Sequence, residues 1–300
     1  MLTSIRGLSA ATLSAGLLFT AAPAFASETT EAPVADDTIS PELIAASAAL
    51  DSKSADSSDV ALSTSTERAV ETIDVDSTSS FGGESGLTFS GNVAFTTEYR
   101  FRGVDLSGGE FAVQGGFDIG HSSGFYVGTW ASNLDEQTVG YGSTELDLYG
   151  GWSGDLTDGV SADVGVIAYL YPDAGPGDFD YVEFYGSLSV GIGPASLTGG
   201  LAYAPDQDSL GSTDNLYLYT DLGIGIPDTP ITINGHIGYT DGFLTFTGDS
   251  KAFDWSIGAD FATGPVTFSA AYVGVEGDAL IDAGKVFTDD AFVLTVAASF

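Results

Sequence analysis

The stretch Ala252-Phe-Asp-Trp-Ser-Ile-Gly-Ala-Asp-Phe-Ala262 alternates without a break. In an extended chain successive side chains point to opposite faces. Phe253, Trp255, Ile257, Ala259 and Phe261 therefore share one face, and Asp254, Ser256, Gly258 and Asp260 the other. Residues 231–240 repeat the pattern, with Ile231, Ile233, Ile237 and Tyr239 opposed by Thr232, Asn234, His236 and Thr240. Such runs have the length of a tilted membrane-crossing strand, about 9 to 11 residues. From Gly86 onward the period of two recurs twelve times: Leu87–Phe101, Glu110–Ile119, Gly124–Ser132, Thr144–Gly154, Val160–Tyr171, Tyr181–Ile192, Ser196–Ala204, Asn215–Ile226, Ile231–Thr240, Ala252–Ala262, Pro265–Val275 and Ala291–Phe300. An even count lets both ends of a single-chain bacterial outer-membrane barrel face the periplasm.

The connections between these runs point the same way. The odd ones, 102–109, 133–143, 172–180, 205–214, 241–251 and 276–290, are long. The even ones, 120–123, 155–159, 193–195, 227–230 and 263–264, are short. Short periplasmic turns alternating with longer external loops mark a transmembrane β-barrel, and a Greek-key sandwich has no reason to keep that alternation. The expectation is an all-β, 12-stranded antiparallel barrel over residues 86–300.

Composition narrows the class. With 7 Lys+Arg against 42 Asp+Glu the formal charge is −35, so a polyanionic nucleic acid is excluded as a partner. The 40 Gly, 19 Phe and 13 Tyr beside 1 Met fit a β protein better than a helical one. With no cysteine there is no disulfide, thiolate metal site or thiol nucleophile. Residues 1–26 read as a secretory signal peptide: Arg6, an apolar run from Gly7 to Pro23, and Ala24-Phe25-Ala26 before Ser27. Residues 27–85, rich in Ser, Thr, Ala, Asp and Glu, predict a mostly disordered acidic periplasmic extension with one helix candidate, Pro41 to Leu50.

Periodicity alone does not say which face is inside. Export, and a twelve-stranded lumen too wide for Phe and Ile to fill easily, favour polar inward and apolar toward lipid. Tyr99, Phe101, Tyr169, Tyr171, Tyr181, Tyr203, Tyr239, Phe253, Trp255, Phe292 and Phe300 lie near strand ends, as the aromatic girdles of such barrels do. Phe300 ends the chain with Phe292, Leu294, Val296 and Ala298 on its face, which resembles the terminal signal read by the barrel-assembly machinery through strand addition.

Several phrases carry a family resemblance. Gly91-Asn-Val-Ala-Phe-Thr-Thr-Glu-Tyr-Arg-Phe-Arg-Gly103, Ala112-Val-Gln-Gly-Gly-Phe-Asp118, Ser123-Gly-Phe-Tyr-Val-Gly-Thr-Trp130 and Glu145-Leu-Asp-Leu-Tyr-Gly150 are similar to the TorF-type porin family of Gram-negative bacteria. Asp180-Tyr-Val-Glu-Phe-Tyr-Gly186, Gly238-Tyr-Thr-Asp241 and Phe253-Asp-Trp-Ser-Ile-Gly258 continue it. The resemblance implies an outer-membrane barrel, a porin, with no particular substrate. The acidic extension lies outside its pattern.

On the faces assigned inward lie nine carboxylates, Glu98, Asp118, Glu145, Asp147, Asp163, Glu183, Asp221, Asp254 and Asp260, against Arg100 and Arg102. Fixed charge of one sign in a wet passage concentrates counter-ions, so passive diffusion of small cationic or neutral solutes is expected. Two other readings stay open: the carboxylates hydrate a plugged lumen, or they bridge to the two arginines. Arg100 and Arg102 either form a constriction facing Glu145 or Asp147, or tie the first external loop to the wall. A saline habitat is a further explanation of the acidity. Outer-membrane lipid and lipopolysaccharide are the expected neighbours, and the external-loop acids, Asp105 and Asp173 among them, read as solvated surface. No cofactor is expected. Catalysis is not expected either: no Ser lies two residues from His236, His121 sits in a turn beside Ser122 and Ser123, and phosphate-loop, zinc and dinucleotide motifs are missing. A non-conducting structural or adhesive barrel is the main alternative, and a barrel esterase using His236 a weaker one.

Overall fold

The computed structural model describes residues 86–245, 247–277 and 287–300. The expectations for the signal peptide (1–26) and the acidic extension (27–85) lie outside the described residues. In hydrocarbon every backbone donor and acceptor needs an internal partner, and a sheet without edges supplies them all. Twelve antiparallel strands close that sheet: β1 (Leu87–Thr96), β4 (Ala112–His121), β5 (Phe125–Asn133), β6 (Thr144–Thr157), β7 (Val160–Leu170), β8 (Tyr181–Ile192), β9 (Ala195–Gln207), β10 (Thr213–Gly225), β11 (Ile231–Gly242), β12 (Lys251–Thr263), β13 (Val266–Glu276) and β14 (Ala291–Ser299). A two-residue pair, β2 (Arg100–Phe101) with β3 (Val104–Asp105), stands apart from the wall.

Each wall strand pairs with its neighbour in sequence, and β1 meets β14 to close the circle. That seam runs from Asn92 opposite Ser299 to Thr96 opposite Thr295. Gly91 and Phe300 extend it by exchanging both backbone hydrogen bonds, at 2.8 and 2.9 Å. The Phe300 ring lies over Gly91 so closely that a Cβ there would sit 2.8 Å from it.

Along β12 the two faces separate as the alternation predicts: Phe253 is 55% exposed and Asp254 3%. Phe95, Phe117, Val127, Leu148, Phe184, Leu218, Ile237, Ile257 and Leu294 continue the apolar band outside, while Glu145, Asp147, Asp163, Glu183, His236 and Asp260 are buried inside. A soluble protein would reverse this, so the outer band is built for lipid. Inward tyrosines are seated over inward glycines of the adjacent strand: Tyr149 faces Gly128, Tyr126 faces Gly151, Tyr185 faces Gly165 and Tyr219 faces Gly200. At each of these glycines a Cβ would collide with the ring, so the small residue makes room for the large one across the ladder.

Four expectations need correction. The first run stops as a wall strand at Thr96, not Phe101, and residues 98–107 fold into the lumen. The loop alternation fails once: β9 continues to Gln207, leaving 208–212 between β9 and β10, no longer than the turn 226–230. Tyr99, Phe101, Tyr169, Tyr171 and Tyr181 are not girdle residues; the four tyrosines are buried in a cluster inside, and Phe101 packs against it. Tyr169 shares its parity with inward Asp163, and Tyr181 with Glu183, so the pleat carries them inward with the acids. The lumen is also less empty than its width suggests, because the infolded segment brings Val104 and Leu106 into it to pack with Ile167, Leu210 and Val275.

Candidate functional site in the lumen

The infold is built by local chemistry. After β1, Thr96 Oγ1 donates to the Glu98 carbonyl at 2.9 Å. Arg102 (φ 49°) and Gly103 (φ 79°) both take the left-handed region that a tight two-residue hairpin turn requires, and so join β2 to β3. Left-handed backbone costs a non-glycine residue about 1 kcal/mol or more. At Gly103 glycine is also needed for space, since a Cβ would lie 2.8 Å from that of Val275. Asp105, expected on the solvated surface, is buried instead, and accepts from the backbone N–H of Ser107 at 2.9 Å and of Gly109 at 2.6 Å. Asp135 donates its N–H to the Leu106 carbonyl at 2.9 Å, tying the infold to the next loop. In that loop Asp135 caps the single-turn helix α1 (Glu136–Val139) by accepting from the Thr138 N–H.

The strain at Arg102 is offset by what its side chain does. Its Nη2 donates to both oxygens of Glu183, at 2.9 and 2.7 Å, with the two side chains 2% and 0% exposed. The guanidinium also lies 4.7 Å from the Phe101 ring centroid and 4.4 Å from that of Tyr217. Arg100 reaches Glu98 through Nε (2.8 Å) and Nη2 (2.5 Å), and its Nη1 donates to the carbonyls of Gly103 (3.1 Å) and Asp289 (2.9 Å). Neither arginine forms a constriction against Glu145 or Asp147. Arg102 ties the infold to β8 of the wall, the second of the two readings the sequence left open, whereas Arg100 ties it to Asp289 in the last connection.

Most of the remaining carboxylates are held by neutral donors. Tyr99 donates to Glu145 at 2.7 Å, Tyr126 to Asp163 at 2.7 Å, Tyr149 to Asp118 at 2.6 Å and Asn234 to Asp260 at 2.7 Å. Tyr126 also meets the hydroxyl of Tyr185 in a short contact. His236 stands between two acids, Nδ1 at 2.6 Å from Asp221 and Nε2 at 2.8 Å from Asp254, with the Tyr217 hydroxyl 2.9 Å from Nε2. Asp147 lies within electrostatic reach of Glu145 and Glu183, and its buried Oδ1 has no hydrogen-bond partner among the described residues. Outside the strands, Asp173 is held below the ordinary carboxylate range by the Ser143 hydroxyl and by backbone donors of Ser143 and Thr144.

The lumen thus has two halves. Its outer half is packed by the infold and by Tyr99, Tyr169, Tyr171 and Tyr181. The half toward the short turns is polar, and Asp118 and Asp221 there are partly exposed. The nine acids do not form one ring; they spread through both halves. The tyrosines were not singled out as partners, yet parity signals them: Tyr149 follows Glu145 and Asp147 at steps of two, and Tyr217 precedes Asp221 likewise. Register also sets Ser256 on β12 and Asp221 on β10 directly across from His236. The three residue types of a hydrolase therefore share one row, but His236 Nε2 is engaged by Asp254 and Tyr217 rather than by a serine hydroxyl. His236 is thus held between two carboxylates and a tyrosine hydroxyl.

No helix among the described residues is long and apolar enough to cross a membrane, and the crossing elements are the strands. In fold the barrel is similar to the NanC porin, with a TM-score of 0.50 at 9% identity, covering 70% of this chain and 99% of that one. Two further structures with likeness are the KdgM porin in complex with disordered oligogalacturonate (TM-score 0.48, 7% identity, 70% and 98% covered) and the outer membrane protein OpdK from Pseudomonas aeruginosa (TM-score 0.39, 14% identity, 72% and 67% covered). No curated protein matches the sequence. A closed barrel with an apolar outer band, in the fold of an outer-membrane porin, is an outer-membrane protein. Its residues 80–300 match one family profile, described as bacterial protein of unknown function (Gcw_chp), and the chain belongs to that family.

Proposed function

We propose that the barrel is a porin-like channel for small solutes that favours cationic and neutral ones. The observation that supports it is the balance of charge on the inner face. Arg100 and Arg102 are occupied by Glu98 and Glu183, which leaves seven of the nine acids without an arginine. His236 serves only Asp221 and Asp254. A passage so lined raises the local concentration of cations and repels anions. The motif resemblance to TorF-type porins supports the same class. Asp118, Asp163, Asp221 and Asp260 line the polar half, and Glu145, Asp147 and Glu183 stand beside the infold, which sets the bore. Lipid and lipopolysaccharide surround the outer band, and Phe300 is the residue offered to the assembly machinery. The test is the reversal potential of the purified protein in planar bilayers under a KCl gradient. A reversal on the cation-selective side is expected, and one on the anion-selective side contradicts the reading.

A second reading, a non-conducting structural or adhesive barrel, draws on one observation, the packed outer half of the lumen. It is favoured by an absence of conductance steps that persists when residues 98–110 are replaced by a short turn.

A further inference from the structure

The outer mouth contains a cavity of about 400 Å³ that shares only Glu145 with the acids of the channel reading. Its walls come from the infold, from three other long connections and from the short 208–212 connection, and include Phe101, Leu106, Tyr141, Tyr171, Phe179 and Leu244. They are mostly apolar and aromatic, and the volume falls within the range of small-molecule sites. One carboxylate belongs to this lining: Glu145, 1% exposed. Glu145 accepts two neutral donors, the Tyr99 hydroxyl through Oε1 at 2.7 Å and, at the long distance of 3.5 Å, the Tyr171 hydroxyl through Oε2, while the lumen's arginines are occupied by Glu98 and Glu183. A carboxylate inside apolar walls is costly unless something of opposite charge joins it. Aromatic faces add attraction for a cation and none for an anion.

We propose that this cavity is a binding site for a hydrophobic organic cation, an ammonium group on an apolar or aromatic body, with the charge against Glu145 and the body against the aromatic walls. The acid selects the sign of the ligand and the walls select its bulk. A small hydrated ion meets the first condition only, and an aromatic acid only the second. The site is independent of whether the barrel conducts.

The test is calorimetric titration of the full chain in detergent micelles with three probes. Benzyltrimethylammonium carries both features, tetramethylammonium the charge alone, and phenylacetate the ring with the opposite charge. The expected result is saturable binding of one benzyltrimethylammonium per chain, at least tenfold tighter than either other probe. Glu145→Gln, which keeps an acceptor for Tyr99, weakens it at least tenfold, and Phe179→Ala weakens it as well. Equal or tighter binding of phenylacetate to the unaltered protein overturns the proposal even if Glu145→Gln fails to fold. Unchanged affinity in a folded Glu145→Gln overturns it too. Conductance measured on the same preparation separates the two ideas: current without benzyltrimethylammonium binding removes this site, and binding without current removes the channel.

Discussion

Replacing Glu183 by Gln tests the infold at its most buried point. The substitution keeps size and shape but leaves the Arg102 charge inside the barrel without its counter-ion. Arg102 Nη2 makes both hydrogen bonds of the pair, and its Nε and Nη1 have no hydrogen-bond partner among the described residues, so little remains to hold the charge. The Phe101 and Tyr217 rings offer cation–π contact but no acceptor oxygen in the guanidinium plane. Breaking a buried pair on one side costs about 3–5 kcal/mol, whereas replacing both partners by apolar side chains is often neutral or stabilising by about 1–4 kcal/mol. Glu183→Gln is therefore expected to lose about 3–5 kcal/mol, and Arg102→Met with Glu183→Leu to stay near the unaltered protein or above it. Urea unfolding in lipid vesicles, followed by tryptophan fluorescence and by the heat-dependent gel shift, measures both. A single-variant loss below about 1 kcal/mol, the scale of an exposed pair, would refute the reasoning. So would a double variant as unstable as the single one.

Three other outcomes follow from the geometry. Gly91→Val forces the Phe300 ring off the closing seam and is expected to cost about 1–3 kcal/mol as overpacking, read as a lower urea midpoint; an unchanged midpoint contradicts the placement of Phe300. Asp173, whose folded pKa is depressed, stabilises the tie between its loop and Ser143 above the ordinary carboxylate range and loses it as pH falls through the lowered value. A carboxyl NMR titration should place its midpoint below that of a free aspartate, and an ordinary midpoint removes the tie. Exchanging residues 98–110 for a short turn removes Val104 and Leu106 from the lumen and should raise single-channel conductance, whereas unaltered conductance would show that the infold does not set the bore.

The wall was legible because a half-lipid, half-water environment writes a period of two into every strand. β8 was read from Tyr181 to Ile192, as found, and β12 within one residue at each end. The infold was not legible, because Glu98, Arg100 and Arg102 continue the alternation of β1 in sequence, while the turn at Arg102 and Gly103 depends on Glu183 some eighty residues away. The inward tyrosines were misassigned for a related reason. An aromatic near a strand end suits the headgroup level or a packed lumen equally well, and only its parity with the acids separates the two. The row of Asp221, His236 and Ser256 needed cross-strand register, which a search along one strand does not supply.

The apolar face of the wall meets lipid and the acidic face meets water. The chain has no native cysteine, so single cysteines placed along β12 report each position directly. Cysteine at 253, 257 or 261, carrying a fluorophore, should be quenched by brominated lipid and ignored by an aqueous quencher, and cysteine at 256 should show the reverse. Lipid quenching at 256, or aqueous quenching at 257, would contradict the account.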